Sequence, residues 1–262
     1  MPSQHKATGL IIALDTQSRQ QAHQWIDEIG DLVGMVKLGL EFTYAAGFSA
    51  VAEIGQRVPL FLDLKLHDIP NTVAAVIRAL SFIQPRMLTI HASGGSAMIA
   101  AARHACDLSF PPEKRPLLLG VTVLTSLDEE ALIETGIEKG VQAQVLTLGA
   151  LALRAGCDGL VCSARELKIL REQFGQTPVL VTPGIRPNIS TENQPSIQQK
   201  TIVNDDQKRF MTPAQAHQAG ADWVVVGRPI TQAMQKRAVA QAIMAELSFK
   251  GSNHNNIHRI IS

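Results

Sequence analysis

Residues 59–72 read Pro59-Leu60-Phe61-Leu62-Asp63-Leu64-Lys65-Leu66-His67-Asp68-Ile69-Pro70-Asn71-Thr72. Leu60, Leu62, Leu64 and Leu66 alternate with Phe61, Asp63 and Lys65, the two-residue period of a β-strand. One face is all leucine; the other carries an acid beside a base. Burying two charges in a strand is costly unless they are paired. Asp68 follows the strand, and Ile69-Pro70-Asn71-Thr72 reads as the opening of a helix, with proline tolerated in its first turn. A purely structural reading makes Asp68 the helix cap and Asp63–Lys65 a buried ion pair. The rest of the chain decides between that and a site.

Outward from this stretch, short apolar runs alternate with amphipathic ones. Strands are predicted at 10–15, 33–37, 60–65, 87–91, 117–122, 159–162, 179–182 and 223–226. Helices are predicted at 17–29, 41–57, 71–83, 96–106, 141–155, 164–173, 213–219 and 230–247. Eight strands, each followed by a helix, predict an α/β fold of one domain, a (β/α)8 TIM barrel over residues 1–247. A doubly wound open sheet is the alternative, but its Gly-x-Gly-x-x-Gly signature is missing from the first βα turn. Residues 187–210 form a polar loop far longer than the usual two to six residues, expected to be a lid or an insert. The polar tail 248–262 is expected to be frayed.

Composition narrows the function. A net charge of +1 gives no basic field for nucleic acid, so an anionic small molecule would be held by a few local cations. The three cysteines, Cys106, Cys157 and Cys162, lack zinc-ligand spacing and read as buried, reduced thiols. No signal peptide and no membrane-length apolar run is found, so a soluble cytoplasmic protein is expected.

Polar residues interrupt the apolar runs at one end. Strand one runs to Asp15, strand two to Lys37, and strand three to Asp63 and Lys65. The period puts Ile11, Ala13 and Asp15 on one face, and likewise Val33, Met35 and Lys37. If those faces point inward, one barrel mouth collects Asp15, Lys37, Asp63 and Lys65, with Asp68 on the rim. The C-terminal mouth is where such barrels place their active sites. Strands seven and eight lead into Thr182-Pro183-Gly184-Ile185-Arg186-Pro187 and Gly227-Arg228-Pro229-Ile230. Those are the loops that often bind phosphate, with Gly227 permitting close backbone approach and Arg186 and Arg228 supplying forked donors. His91 reads as a rim histidine and His67 as a loop residue, while Thr122, Thr125 and Ser126 could meet a polar ring edge.

Together these segments resemble orotidine 5'-monophosphate decarboxylases of the bacterial type. The resemblance rests on Asp63-x-Lys65-x-x-Asp68-Ile-Pro-Asn-Thr72, Ala-Leu-Asp15, Val-Lys37-Leu-Gly, His91-Ala-Ser-Gly-Gly, Val-Thr-Val-Leu-Thr125-Ser, Val-Thr-Pro-Gly-Ile-Arg186-Pro, Met-Thr-Pro and Gly227-Arg228-Pro-Ile. These motifs run from strand one to strand eight in order. The resemblance implies conversion of orotidine monophosphate to uridine monophosphate, the last step of pyrimidine synthesis, with no cofactor and no metal. It implies Lys65 as the acid that protonates C6, Asp63 beside the substrate carboxylate, and Lys37 with Asp68 completing an alternating charge array. Asp15 and Lys37 would hold the ribose, Thr125 the pyrimidine edge, and Arg186, Gln207, Gly227 and Arg228 the phosphate. Gln207 is chosen among Gln194, Gln198, Gln199 and Gln207 because the run after it keeps the family's path into the next helix. Asp68 and Thr72 would reach the neighbouring subunit's site, implying a homodimer with shared active sites.

Carboxylates flanking Lys65 favour its ammonium form, which a proton donor needs and a Schiff-base lysine does not. Two alternatives stay open at this point. One is a sugar-phosphate lyase of the same superfamily that uses Mg2+, disfavoured by Lys37 among the carboxylates. The other is a phosphate-ligand binding barrel without turnover.

Overall fold

A computed structural model of the chain describes residues 8–187 and 211–248. The predicted loop 187–210, with Gln207 in it, falls outside the described residues from 188 on, as does the tail beyond Ser248. Eight strands appear: β1 (Gly9–Ala13), β2 (Met35–Gly39), β3 (Leu60–Leu66), β4 (Met87–His91), β5 (Leu117–Val121), β6 (Gly159–Val161), β7 (Val179–Thr182) and β8 (Trp223–Val226). They pair in parallel in chain order, and β8 closes on β1. The predicted TIM barrel is therefore the fold, and the open sheet is excluded.

Strand parity sorts the apolar side chains into two layers. Ile11, Ala13, Met35, Phe61, Met87, Leu119, Val181 and Val225 pack together inside the barrel. Their neighbours, such as Ile12, Val36, Leu62, Leu88, Leu118, Leu180 and Val224, face outward into the larger core beneath the helices. Burying both faces explains why the runs are nearly continuous in apolar residues. Trp223 lies at the N-terminal end of the barrel, and its ring occupies the space where side chains at Gly9 and Gly34 would have to go. Those two glycines read as room for the indole.

The helices are α1 (Arg19–Ile29), α2 (Leu40–Arg57), α3 (Pro70–Ala79), α4 (Gly95–Ser109), α5 (Glu129–Glu134), α6 (Gly140–Arg154), α7 (Leu167–Phe174), α8 (Pro213–Gln218), α9 (Arg228–Thr231) and α10 (Lys236–Ser248). Three expectations need correction. β1 stops at Ala13, so Asp15 stands two residues beyond it on the rim. β2 begins at Met35, which leaves Val33 in the preceding turn, and it continues past Lys37 to Gly39. The helix expected at 230–247 is two helices, because a short α9 starts directly at Arg228. The sequence reading also missed α5, a helix of six residues capped by the Asp128 side chain. Glu129 in turn accepts the Val141 N–H, in the first turn of α6, through both of its carboxylate oxygens. No helix among the described residues is long and apolar enough to cross a membrane. The three cysteines are buried and free, and burial pushes the thiols up to about 11 for Cys106 and about 12 for Cys157 and Cys162.

The N-terminal end of the barrel carries a device used twice. Ala155-Gly156-Cys157-Asp158 leads into β6, and Ala219-Gly220-Ala221-Asp222 leads into β8. The glycines take φ of +112° and +96°, a region other residues rarely adopt. Asp158 Oδ2 accepts from Leu118 N–H at 2.7 Å and from Arg103 at 2.9 Å. Asp222 Oδ2 accepts from Leu180 N–H at 2.8 Å and from Arg171 at 2.6 Å. Arg171 also donates to the carbonyls of Gly220 and Pro178, so one guanidinium ties α7 to the entry of both β7 and β8. Removing one partner of a largely buried charge pair leaves the other unsatisfied. Arg171→Ala is expected to cost about 2–4 kcal/mol, toward the low side of the range for buried pairs because Asp222 is partly exposed. Urea unfolding measures this, and a loss under about 0.5 kcal/mol would show the clamp to be incidental.

Candidate active site

All eight strands are parallel, so their C-terminal ends share one mouth. Lys37 of β2 and Asp63 and Lys65 of β3 converge there. Asp63 lies between two ammonium groups: Lys65 Nζ donates to its Oδ2 at 2.8 Å, and Lys37 Nζ stands 3.5 Å from the same oxygen. Lys37 also lies 3.5 Å from Asp15 Oδ1, which continues the chain of alternating charge to the rim. The series inside one chain therefore runs Asp15, Lys37, Asp63, Lys65.

Burial is the largest single influence on Asp63 and would push its carboxyl up. The charges of Lys37 and Lys65, with hydrogen bonds from Lys65 and Thr89, together outweigh burial and hold it below the usual carboxylate range. Asp63 is thus a buried, fixed anion, at 8 % exposure. His91 ends β4, and its ring centroid lies 5.2 Å from that of His67. Burial first, then the nearby His67 and Lys65, push His91 below the ordinary histidine value, against Asp63. It is a neutral rim side chain at pH 7.

The two-residue sequence period of β3 continues to Leu66, but the backbone does not follow it. Pairing with β4 runs Phe61 to Met87 and Leu62 to Leu88, then resumes at Leu66 to Ile90. Two extra residues are accommodated on β3, and Lys65 takes φ of +48°. A non-glycine residue held there costs on the order of 1–3 kcal/mol, and such outliers gather at functional sites. Thr89 on β4 takes up the Lys65 N–H at 2.8 Å and donates its own hydroxyl to Asp63 Oδ1 at 2.9 Å. Sequence reading missed Thr89 as a site residue. The available signal was a hydroxyl in the middle of an apolar strand, on the same parity as His91.

The remaining predicted residues lie around the mouth. Gly227 precedes α9 and abuts Asp15: a Cβ there would sit 3.3 Å from Asp15 Oδ2. Arg228 opens α9, exposed, while Arg186 follows β7 with its N–H bonded to Met211 O at 3.0 Å. Thr125 is exposed in the turn after β5, and Thr122 is buried, its hydroxyl donating to Val161 O at 3.4 Å. Asp68 is not the cap of α3. The cap is Ile69, with no side-chain bond, and Asp68 Oδ1 instead accepts from Ile69 N–H at 2.7 Å. Among the described residues Asp68 makes no ion pair with Lys37 or Lys65, so it does not join the array within its own chain. Thr72 lies in the first turn of α3, exposed like Asp68.

This geometry gathers a line of alternating charge and two arginine-bearing loops at one mouth of the barrel, a place suited to an anionic small molecule. The family model of the orotidine 5'-phosphate decarboxylase / HUMPS family matches residues 8–243. An orotidine 5'-phosphate decarboxylase of Gluconobacter oxydans is 54% identical over 244 residues, covering 93% of this chain and 98% of that protein. One of Rhodospirillum rubrum is 44% identical over 245 residues, covering 91% of this chain and 93% of its own. The crystal structure of orotidine 5'-phosphate decarboxylase from Lactobacillus acidophilus superposes with a TM-score of 0.79 at 35% identity, covering 93% of this chain and 100% of that one. With a buried acid–base array at the barrel mouth and relatives matched over nearly their whole length, the chain belongs to the orotidine 5'-phosphate decarboxylase / HUMPS family.

Proposed function

We propose that the chain converts orotidine 5'-monophosphate to uridine 5'-monophosphate and CO2 without a cofactor, as the closing step of pyrimidine synthesis. Family membership and the names of the relatives support the decarboxylase activity. The observation that carries the mechanism is the Asp63 carboxylate, buried between the ammonium groups of Lys37 and Lys65.

The substrate carboxylate lies beside Asp63, where a fixed negative charge opposes it until it leaves as neutral CO2. The C6–carboxylate bond breaks and its electron pair stays on C6. The Lys65 N–H bond then breaks as the proton moves to C6, and the neutral amine regains a proton from water, which the partly exposed Lys65 can reach. The charges are in position before substrate arrives, so little reorganisation is left for the reaction step. Asp15 and Lys37 hold the ribose hydroxyls, Thr125 the pyrimidine edge, and Arg186, Gln207, Gly227 and Arg228 the phosphate. The positive charge of Lys37 beside Asp63 and Asp15 fills the place a divalent cation would need.

The functional unit is a homodimer in this reading. Among the described residues Asp68 makes no ion pair with Lys37 or Lys65, and it stands next to the 67 % exposed Ile69. Leu40 and Tyr44, exposed on one face of α2 just past the end of β2, add apolar surface. A second copy would cover these side chains and receive Asp68 and Thr72 in its site. The odd number of buried, free thiols suits a reducing compartment, the cytoplasm.

The ultraviolet absorbance of orotidine monophosphate is expected to change on adding purified protein in EDTA. No turnover, or turnover that EDTA abolishes, would overturn the metal-free decarboxylase reading. Lys65→Ala is expected to lose roughly 10²–10⁴-fold or more in kcat, the usual worth of a positioned acid, while still binding uridine monophosphate. Near-normal turnover would remove Lys65 from the acid role. Lys65→Ala mixed with Asp68→Ala is expected to recover activity, because a heterodimer has one site with both residues intact. No recovery despite demonstrated subunit exchange would count against the shared site.

A further inference from the structure

Asp63 and Lys65 need their aim fixed by something, and the β3 backbone alone does not supply it. Between Leu62 and Leu66 the ladder to β4 is interrupted, and Lys65 sits at φ +48°. Asp63 uses Oδ2 for both ammonium groups, which leaves Oδ1 to set the rotation of the carboxylate. That torsion is broad and roughly two-fold in the absence of a partner.

We infer that Thr89 is a positioning residue for the proposed decarboxylation, its single hydroxyl locking the β3 bulge and the Asp63 carboxylate into one rigid unit. The inference rests on the reading of Asp63 and Lys65 as the reacting pair. A hydroxyl has one hydrogen to give and lone pairs to receive. Facing an amide N–H on one side and a carboxylate on the other, it can be used in only one sense. Thr89 Oγ1 accepts from Lys65 N–H at 2.8 Å and donates to Asp63 Oδ1 at 2.9 Å. Its side chain is fully buried, so water has no ready path to replace either bond. Threonine is stiff about χ1, which holds the oxygen in place between its two partners. The side chain touches the backbone of one reacting residue and the carboxylate of the other, and it acts only through them.

Thr89→Val keeps the shape and removes the hydroxyl. It is expected to lower kcat about 10- to 100-fold, the worth of a hydrogen bond to a charged group. The Kd for uridine monophosphate is expected to stay within about threefold, because Thr89 reaches no ligand. Thr89→Ser restores the hydroxyl and is expected to return most of the lost kcat. The loss of a donor to Asp63 makes its carboxylate easier to protonate, so the acid limb of the kcat profile moves to higher pH in Thr89→Val. Should Thr89→Val not fold, Thr89→Cys, of similar size with a weak donor, is judged by the same criteria. Wild-type kcat in the variant overturns the inference, as does a loss of kcat that follows only the folded fraction, with an unmoved acid limb. Wild-type protein that does not turn over orotidine monophosphate overturns the underlying reading instead, so the two failures are told apart.

Discussion

The structure turns on one ion, the Asp63 carboxylate, removed from water and held by positive charge on two sides. Burial alone would push its carboxyl toward the protonated form. Lys37 and Lys65 prevent this, and their own charge is tolerated at the mouth because Asp63 and Asp15 are there. Neutralising Asp63 would take from Lys37 and Lys65 the carboxylate they share. The barrel supplies what such an arrangement needs: three strand ends close enough to bring the side chains together and a dry interior layer beneath them. The ordering of charge is part of the fold itself, which is the condition for electrostatic preorganisation.

The opposite end of the barrel has a different character. Trp223 plugs it, and Asp158 and Asp222 with their arginines stitch helices to strand entries. Asp158 and Asp222 each bind a strand N–H as well as an arginine, so both carboxylates hold strand entries in place. Division of labour between the two ends follows from parallel strands: one end gathers the loops that begin helices, the other the tight returns into strands. Substitutions can therefore remodel the mouth without loosening the clamps.

Much of this was legible in the sequence, for reasons that differ from residue to residue. The order of strand and helix patterns gave the barrel, because burial on both faces leaves short, nearly continuous apolar runs that stand out between amphipathic ones. Asp15, Lys37, Asp63 and Lys65 stood out because charge at the end of an apolar strand is costly. Strand ends were misjudged at Asp15 and Val33, where the side-chain pattern continues but the ladder does not. α5 escaped notice because it is short and its cap is the Asp128 side chain, which reads equally well as loop. The break in β3 could not be read, because a two-residue slip preserves the side-chain pattern. The hydroxyl of Thr89 within an apolar strand marked the residue but not its partners on β3, which are long-range contacts. The pairing of the two Ala-Gly-x-Asp turns was hidden because its partners, Arg103 and Arg171, lie on helices 55 and 51 residues before the aspartates they meet.

Lys65 is a residue in two minds. Its backbone conformation belongs to glycine or asparagine, and only the ammonium at the end of its side chain argues for lysine. Selection for folding alone would erode it, since a change to glycine relieves the left-handed strain. On the proposed reading, what keeps lysine in place is turnover. A barrel of this kind released from its reaction would be free to let position 65 drift toward glycine, and a descendant with glycine there would carry in its backbone the mark of a lost activity.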